Sequence, residues 1–221
     1  MLILALDAAL ARCSAAVVAD GRVAAERQRA GARDQAALLA PMAEAVLREA
    51  GCTAQALDGV AVTVGPGSFT GLRAAIALAQ GIALAAGRPV VGVTVAEALL
   101  AALPPLPGWS PWVAIDNRRG RVFLDRGGSV QAIALADLPS TGDPIAVAGD
   151  AAIAVAARLA ARGTRAMLTD AREPHPRFVA VVGARRLAGK IPPLAAQPLY
   201  IDPPEARLPE GGLRPPPEPT R

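Results

Sequence analysis

The sequence is poor in lysine, histidine and aromatic residues, and these scarcities exclude several kinds of site. Lys190 is the only lysine and His175 the only histidine among 221 residues, and aromatic side chains make up 3%. A zinc-peptidase motif needs two histidines one helical turn apart, and a serine-hydrolase triad needs a histidine near its serine. His175 instead stands between two prolines. The composition therefore argues against both kinds of hydrolase and predicts that His175 is a loop residue leading into a helix.

Cysteine, net charge and long apolar runs are also scarce. Cys13 and Cys52 lie far apart in no metal-type spacing, which favours free thiols in a reducing compartment. The 23 basic and 19 acidic residues give a net charge of +4, too small an excess to predict nucleic-acid binding. The longest apolar run, at 74–87, is shorter than the ~20 residues of a bilayer span, and no basic segment precedes the apolar opening. We therefore expect a cytoplasmic protein without a membrane segment.

What the chain does have is an alanine-rich composition, 52% hydrophobic, in alternating strand and helix patterns. In the first half, strands are predicted at 2–6, 14–19, 22–27, 58–64 and 90–95, and helices at 34–50, with Asp34 as N-cap, and 70–86. In the second half, strands are predicted at 112–115, 121–124, 145–148 and 165–168, and helices at 150–161 and 177–187. The proline-rich stretch at 103–111 separates the two halves.

Each half opens with an apolar strand that ends in an aspartate, Asp7 or Asp116, followed by a hairpin. This similarity favours an internal duplication. We therefore expect an α/β protein of two lobes, residues 1–103 and 104–203, each with a mixed sheet. Residues 204–221 are rich in proline and glycine and are expected to form a largely disordered tail.

The strongest local motif is the glycine-rich segment from Gly65 to Arg73, between a predicted strand and a predicted helix. It lacks the lysine of a Walker loop, the third glycine of a Rossmann fingerprint and the glycine spacing of a nucleophile elbow. Two interpretations remain. One is a tight strand-to-helix connection capped by Ser68 or Thr70, and the other is an anion or nucleotide site at a helix N-terminus. The candidate residues of that site are Asp7, Gly65, Gly67, Ser68, Thr70, Gly71 and Arg73.

The helix predicted at 70–86 is apolar on every face, because Gln80 is its only polar residue beyond Arg73. A single sheet covers only one side of such a helix, so we expect a partner polypeptide on the other, with cover by the second lobe or a loop as the alternative. Ala77, Gly81 and Ala85 provide a flat strip for close helix packing. The candidate interface residues are Leu38, Leu39, Met42, Val46, Leu72, Ala74, Ala77, Leu78 and Gly81.

Arginines flank the second predicted hairpin, at Arg118, Arg119 and Arg121. They could contact tRNA phosphates or a nucleotide, but no aromatic residues interleave with them for base stacking. A solvated face is the favoured interpretation, and a tRNA-binding module is the alternative.

Four segments together resemble the TsaB (YeaZ) family: ILALDAALARC, GPGSFTGLR, IDNRRGRVFL and PLYIDPPEARLP. The resemblance implies a duplicated fold of the actin, sugar-kinase and Hsp70 type. It also implies a role in the bacterial machinery that transfers threonylcarbamoyl from threonylcarbamoyl-AMP to N6 of the adenosine 3′ of the anticodon in tRNA. Family members are non-catalytic subunits that pair through first-lobe helices with a catalytic paralogue, TsaD, and an ATPase, TsaE, joins them.

For this chain the resemblance implies no catalytic and no metal-binding residues, and contact with tRNA through the complex. No firmly bound cofactor is expected in this chain, but the resemblance allows ATP or ADP with Mg²⁺ to bind at the interface of the complex. When the partner is missing, the same face is expected to form a homodimer. The alternative is a stand-alone enzyme, either a sugar-kinase-like phosphotransferase or a glycopeptidase.

The sequence departs from the family pattern at three positions. Ala8 follows Asp7 where a threonine is usual, Gln35 replaces a histidine, and Arg121 replaces a glutamate. These changes are expected to weaken any nucleotide site and to leave the helical interface intact.

Overall fold

The computed structural model describes residues 1–31 and 35–201, whose strands form two five-stranded sheets. The first sheet contains β1 (Leu2–Asp7), β2 (Arg12–Ala19), β3 (Arg22–Ala30), β4 (Gly59–Gly65) and β5 (Val90–Thr94). The second contains β6 (Ser110–Asp116), β7 (Arg121–Asp125), β8 (Val130–Ala134), β9 (Ile145–Ala148) and β10 (Ala166–Leu168). The helices are α1 (Gln35–Glu49), α2 (Phe69–Ala86), α3 (Val95–Ala101), α4 (Ala152–Ala160) and α5 (Pro176–Leu187). The predicted N-cap Asp34 and the predicted tail lie outside the described residues.

The two sheets share one topology. The strand orders are β3-β2-β1-β4-β5 and β8-β7-β6-β9-β10, so each strand of the first sheet has a counterpart five strands later. In both sheets the first three strands are antiparallel and the last two join in parallel. The predicted duplicated α/β fold is confirmed.

Strands β1, β2 and β4 of the first sheet are buried on both faces, which explains their continuous apolar sequences, whereas the edge strand β3 is largely exposed. Side chains alternate along β1, so that Leu4 and Leu6 face the layer of α1 and α2, while Ile3 and Ala5 face α5. A further cluster, which includes Leu10, Leu72 and Ile115, joins the two lobes at the end of β1. This cluster fixes the ends of β1 and β6 close to each other.

Helix α5 follows the second sheet in the chain but packs against the first. The absence of a side chain at Gly183 permits this approach, since a Cβ there would lie 2.4 Å from that of Ala61. Arg186 then donates to the carbonyl of Gly92 in β5 at 2.6 Å and pairs with Glu97 in α3. The structure therefore places α5 with the first sheet although it lies within the predicted range 104–203. That each predicted range forms a domain stays a prediction.

Helix α2 lies on the first sheet between α1 and the segment 194–199. Ser68 accepts from the N–H of Gly71 at its start, and Gly87 ends it with φ of 64°. Among the described residues α2 is the one helix whose length and mean hydropathy of 1.5 also fit a membrane span. Its buried face on the sheet is typical of the core helix of a lobe.

Candidate functional site

A cleft of about 750 Å³ lies between the two lobes, above the ends of β1 and β6. The glycine-rich segment and the start of α2 form one wall, and the hairpin after β6 forms the other. The polar and charged residues that line it are Gln35, Ser68, Arg73, Asp116, Asn117, Arg118, Arg119, Asp150 and Tyr200. The sequence-predicted residues Gly67, Ser68 and Arg73 therefore face the cleft.

The glycines of this segment allow close packing against the turn after β1. A Cβ at Gly67 would lie 2.1 Å from the carbonyl oxygen of Ala9, and one at Gly71 would lie 2.1 Å from that of Ala8. The N–H of Ser68 donates to the Ala9 carbonyl at 2.7 Å, and the Ser68 hydroxyl caps α2. Of the two interpretations, this geometry supports the tight strand-to-helix connection. Thr70 is exposed at the start of α2, and Gly65 is buried at the end of β4.

Asp7 does not line the cleft, contrary to its assignment to an anion site. Its side chain is fully buried, and Oδ1 accepts from the Thr63 hydroxyl at 2.6 Å and the Ala9 N–H at 3.1 Å. Oδ2 has no hydrogen-bond partner among the described residues. Burial raises the pKa of Asp7 to about 7, against the lowering effect of the two hydrogen bonds. The closure of the β1 turn over this carboxyl removes it from the cleft surface.

The second lobe contributes two carboxylates to the cleft floor and an arginine to the cleft wall. Asp150 Oδ1 accepts from the N–H of Asp116 at 2.8 Å, and burial raises the pKa of Asp150. Arg118 Nε lies 3.7 Å from Asp116 Oδ2, and Arg118 Nη2 lies 3.5 Å from Asp150 Oδ2. The guanidinium therefore partly neutralises both carboxylates. The Nδ2 of Asn117 is buried and, within the described chain, lacks a hydrogen-bond partner. An acceptor on a ligand would satisfy this donor.

The rim of the cleft carries an aromatic cluster that the sequence reasoning missed. Arg73 places its guanidinium carbon 3.2 Å from the ring centroid of Phe69 and donates to the hydroxyl of Tyr200 at 2.6 Å. Phe69 is 67% exposed and Tyr200 62% exposed. The exposure of Phe69 follows from its place at the first position of α2, but the 127-residue separation of Arg73 and Tyr200 left no local signal for the cluster.

The predicted partner-interface residues divide into buried and accessible groups. Leu39 and Val46 pack in the core beneath α1, and Leu72 packs in the cluster between the lobes, so these three assignments are corrected: the residues face the chain's own interior. The half-buried residues are Leu38, Met42, Ala74 and Leu78, and the exposed residues are Ala77 and Gly81.

The outer face of α2 remains open over part of its length. Gln80 donates to the carbonyl of Ala196 at 2.9 Å, and Leu199 packs beside α2, so the segment 194–199 covers one flank while α1 covers the other. Exposed residues follow at helical spacing along the outside, and Leu84 is 85% exposed. We call this exposed strip of Ala77, Gly81, Leu84 and Ala85 the outer strip of α2.

The family departures at Gln35 and Arg121 have structural roles. Gln35 is buried, and its amide donates to the Leu10 carbonyl at 2.9 Å, which ties the start of α1 to the turn after β1. Arg121 donates to the carbonyl of Ala132 in the neighbouring strand β8. Ala8 is fully buried under Gly71. In residues 1–31 and 35–201, no three His, Cys, Asp or Glu side chains converge as metal ligands would.

Comparison with known proteins points to a single family. Residues 28–159 match the model of the TsaD family, tRNA N6-adenosine threonylcarbamoyltransferase. The tRNA threonylcarbamoyladenosine biosynthesis protein TsaB of Escherichia coli is 36% identical over 124 residues, which are 56% of this chain and 53% of that protein. The chain thus spans about half or less of the length of the curated relatives it matches, 53% of TsaB and 18% of a tRNA N6-adenosine threonylcarbamoyltransferase of Erythrobacter litoralis.

Solved structures extend the similarity to nearly the whole chain. A Pseudomonas aeruginosa protein with similarity to peptidase YEAZ superposes with a TM-score of 0.75 at 27% identity, covering 91% of this chain and 99% of that one. Component A of (R)-2-hydroxyglutaryl-CoA dehydratase from Acidaminococcus fermentans, 10% identical, superposes with a TM-score of 0.52 over 85% of this chain and 99% of that one. The second likeness concerns the fold alone.

Proposed function

Since the chain belongs to the TsaD family and, within it, to the TsaB (YeaZ) group, we propose that it is a non-catalytic partner subunit in tRNA threonylcarbamoylation. In this proposal a TsaD-like paralogue performs the transfer of threonylcarbamoyl to N6 of the adenosine 3′ of the anticodon. A TsaE-like ATPase joins the pair, and tRNA is engaged through the complex in the cytoplasm.

The observation that carries the proposal is the outer strip of α2. An apolar strip of mostly small side chains, with one exposed leucine, suits close packing against a helix of a second chain. A paralogue of the same fold would present such a helix from its own first lobe. The same reasoning predicts a homodimer when this chain is alone, because each copy would cover the strip of the other.

The site geometry supports a subunit without a firmly bound cofactor. The glycines of the segment 65–73 are closed against the turn after β1, and Asp7 is buried beneath that turn. The proposal therefore assigns ATP or ADP with Mg²⁺ to the interface of the complex and not to this chain by itself.

Placing a charge on the outer strip tests the pairing. Ala77→Arg is expected to abolish co-purification with the TsaD-like paralogue and to reduce threonylcarbamoyl transfer to the level of the paralogue alone, because the guanidinium would be desolvated without a partner. Ala157→Arg is the matched control, since Ala157 is an exposed alanine on α4, the topological counterpart of α2. Both variants should unfold at the wild-type temperature.

Two outcomes would count against the proposal. If Ala77→Arg binds the paralogue as well as wild type does, the outer strip is not the interface. If both variants lose pairing equally, the effect of the added charge is nonspecific. Turnover of ATP or a glycopeptide by the purified chain, lost on Asp7→Ala, would replace the subunit role with the stand-alone phosphotransferase or glycopeptidase.

A further inference from the structure

We propose that the cleft between the lobes binds a single-stranded RNA segment, with one base stacked on the cluster formed by Phe69, Arg73 and Tyr200. The choice of RNA over other polyanions rests on the proposed function in tRNA modification. The site itself is argued from the geometry of the cleft. Arg73 lies one helical turn before Ala77, so the cluster adjoins the outer strip of α2 that would bind the protein partner.

The exposure of the two aromatic rings is the first argument. The chain has six aromatic residues in all, three Phe, two Trp and one Tyr. Phe69 and the single tyrosine, Tyr200, are both more than 60% exposed and lie at the same rim of one cleft. Paired exposed rings at a cleft mouth are typical of platforms on which bases stack.

Arg73 makes the platform continuous. Its guanidinium lies on the Phe69 ring at 3.2 Å and reaches the Tyr200 hydroxyl at 2.6 Å. A guanidinium plane stacks on bases as an aromatic ring does, and it also attracts a neighbouring phosphate. No aromatic residue interleaves with Arg118, Arg119 and Arg121 in the sequence, but the rings of Phe69 and Tyr200 line the same cleft as Arg118.

The charges of the cleft fit a nucleotide that has its phosphate at the mouth and its sugar toward the floor. Arg73 lies on one wall and Arg118 and Arg119 on the other, against the two carboxylates of Asp116 and Asp150, which leaves one net positive charge. Carboxylates on the floor can accept hydrogen bonds from ribose hydroxyls, including the 2′-OH that distinguishes RNA from DNA.

The polar floor also favours a nucleotide over a protein side chain. Asn117 Nδ2 lacks a partner among the described residues and would donate to a base carbonyl or ring nitrogen. An apolar anchor from a protein would leave this donor buried and unpaired. The volume of about 750 Å³ lies within the range of about 300–1,000 Å³ that small ligands occupy.

The test is a titration of the full-length chain against a fluorescently labelled, single-stranded heptaribonucleotide, followed by anisotropy. The same sequence as DNA and a blunt RNA duplex are titrated alongside. We expect saturable binding of the single-stranded RNA that weakens with salt and exceeds binding of both comparison ligands. Phe69→Ala and Arg73→Ala should each weaken the RNA affinity about tenfold or more.

Arg165→Ala is the matched control, because Arg165 also lies over an aromatic ring, that of Trp109, at 5.5 Å and outside the cleft. It should leave the RNA affinity unchanged. Tyr200→Ala provides a second, independent variant on the far side of Arg73. Thermal unfolding of each variant checks that the fold is retained, as expected for exposed side chains.

Several results would overturn the inference. The inference fails if the chain does not bind single-stranded RNA saturably, or if it binds the RNA duplex with equal affinity. It also fails if Phe69→Ala and Tyr200→Ala both bind single-stranded RNA with wild-type affinity. Loss of pairing with the TsaD-like paralogue in Phe69→Ala at unchanged RNA affinity would instead identify the cluster as a protein contact. Because RNA binding is measured on the chain alone and pairing by co-purification with the paralogue, failure of RNA binding and failure of the partner role can be told apart.

Discussion

At the scale of single residues, Asp7 carries a carboxyl group that the fold has removed from water. Its pKa is raised to about 7, first by burial and to a smaller degree by the charge of Glu173, while Thr63, Ala9 and Arg12 act in the opposite direction. In the unfolded chain the same carboxyl titrates near 3.8. Between these two values the folded state binds more protons than the unfolded state, so stability falls as the pH rises.

Asp7→Asn is expected to remove this pH dependence. The amide stays neutral, and its oxygen can still accept from Thr63 and Ala9. Relative to wild type, the variant should therefore gain stability between pH 4 and pH 7, by up to about 4 kcal/mol. Urea unfolding at several pH values measures this difference. Asp143→Asn, at an exposed carboxylate, is the control, and parallel pH profiles for wild type and Asp7→Asn would contradict the prediction.

At the scale of the element, two glycines of α2 differ in their surroundings. A Cβ at Gly71 would lie 2.1 Å from the Ala8 carbonyl oxygen, whereas a Cβ at Gly81 meets no described atom within 4 Å. Gly71→Ala is expected to destabilise the protein by about 1–3 kcal/mol through the clash. Gly81→Ala should stabilise it by about 1 kcal/mol through helix propensity. Thermal and urea unfolding of both variants measure these changes in the free energy of unfolding. A destabilised Gly81→Ala protein would show that the outer strip is covered.

The secondary structure was largely predictable because most elements carry a strong local pattern. Alternation and apolar runs located every strand except β8. Its residues are mostly half-buried, and Gln131 interrupts its apolar sequence. Helix α3 was missed although Thr94 and Glu97 form a capping box, a signature visible in the sequence. Its seven residues fall below the length at which helical periodicity is clear.

The candidate site was only partly predictable, since its parts meet through long-range packing. The glycine-rich segment was recognised locally, and its place on the cleft wall follows from its position between β4 and α2. The burial of Asp7 and the meeting of Arg73 with Tyr200 depend on how the chain closes over the first sheet. The pattern of α2 indicated a need for cover, but only the structure shows that residues 194–199 cover one flank.

At the scale of the whole molecule, the chain halves are interlocked. Helix α5 and the segment after it return to the first sheet, where Val179 and Val182 cover the face formed by Ile3 and Val93. Arg186 fixes the return by donating to the carbonyls of Pro192 and Gly92. An amphipathic pattern shows that a helix has a buried face, but it does not show which sheet that face meets.

This interlocking predicts that residues 1–103 do not fold alone into a stable monomer. Without α5 the fragment exposes much of one face of its sheet, including Ile3 and Ala61, to water. We expect it to aggregate or to lack a cooperative unfolding transition. Joining residues 172–201 to the fragment through a glycine-serine linker of about 20 residues should restore cooperative unfolding, because α5 can again reach the sheet. A fragment 1–103 that unfolds cooperatively by itself, as a monomer, would mean that α3 and the edges of the sheet suffice for its stability.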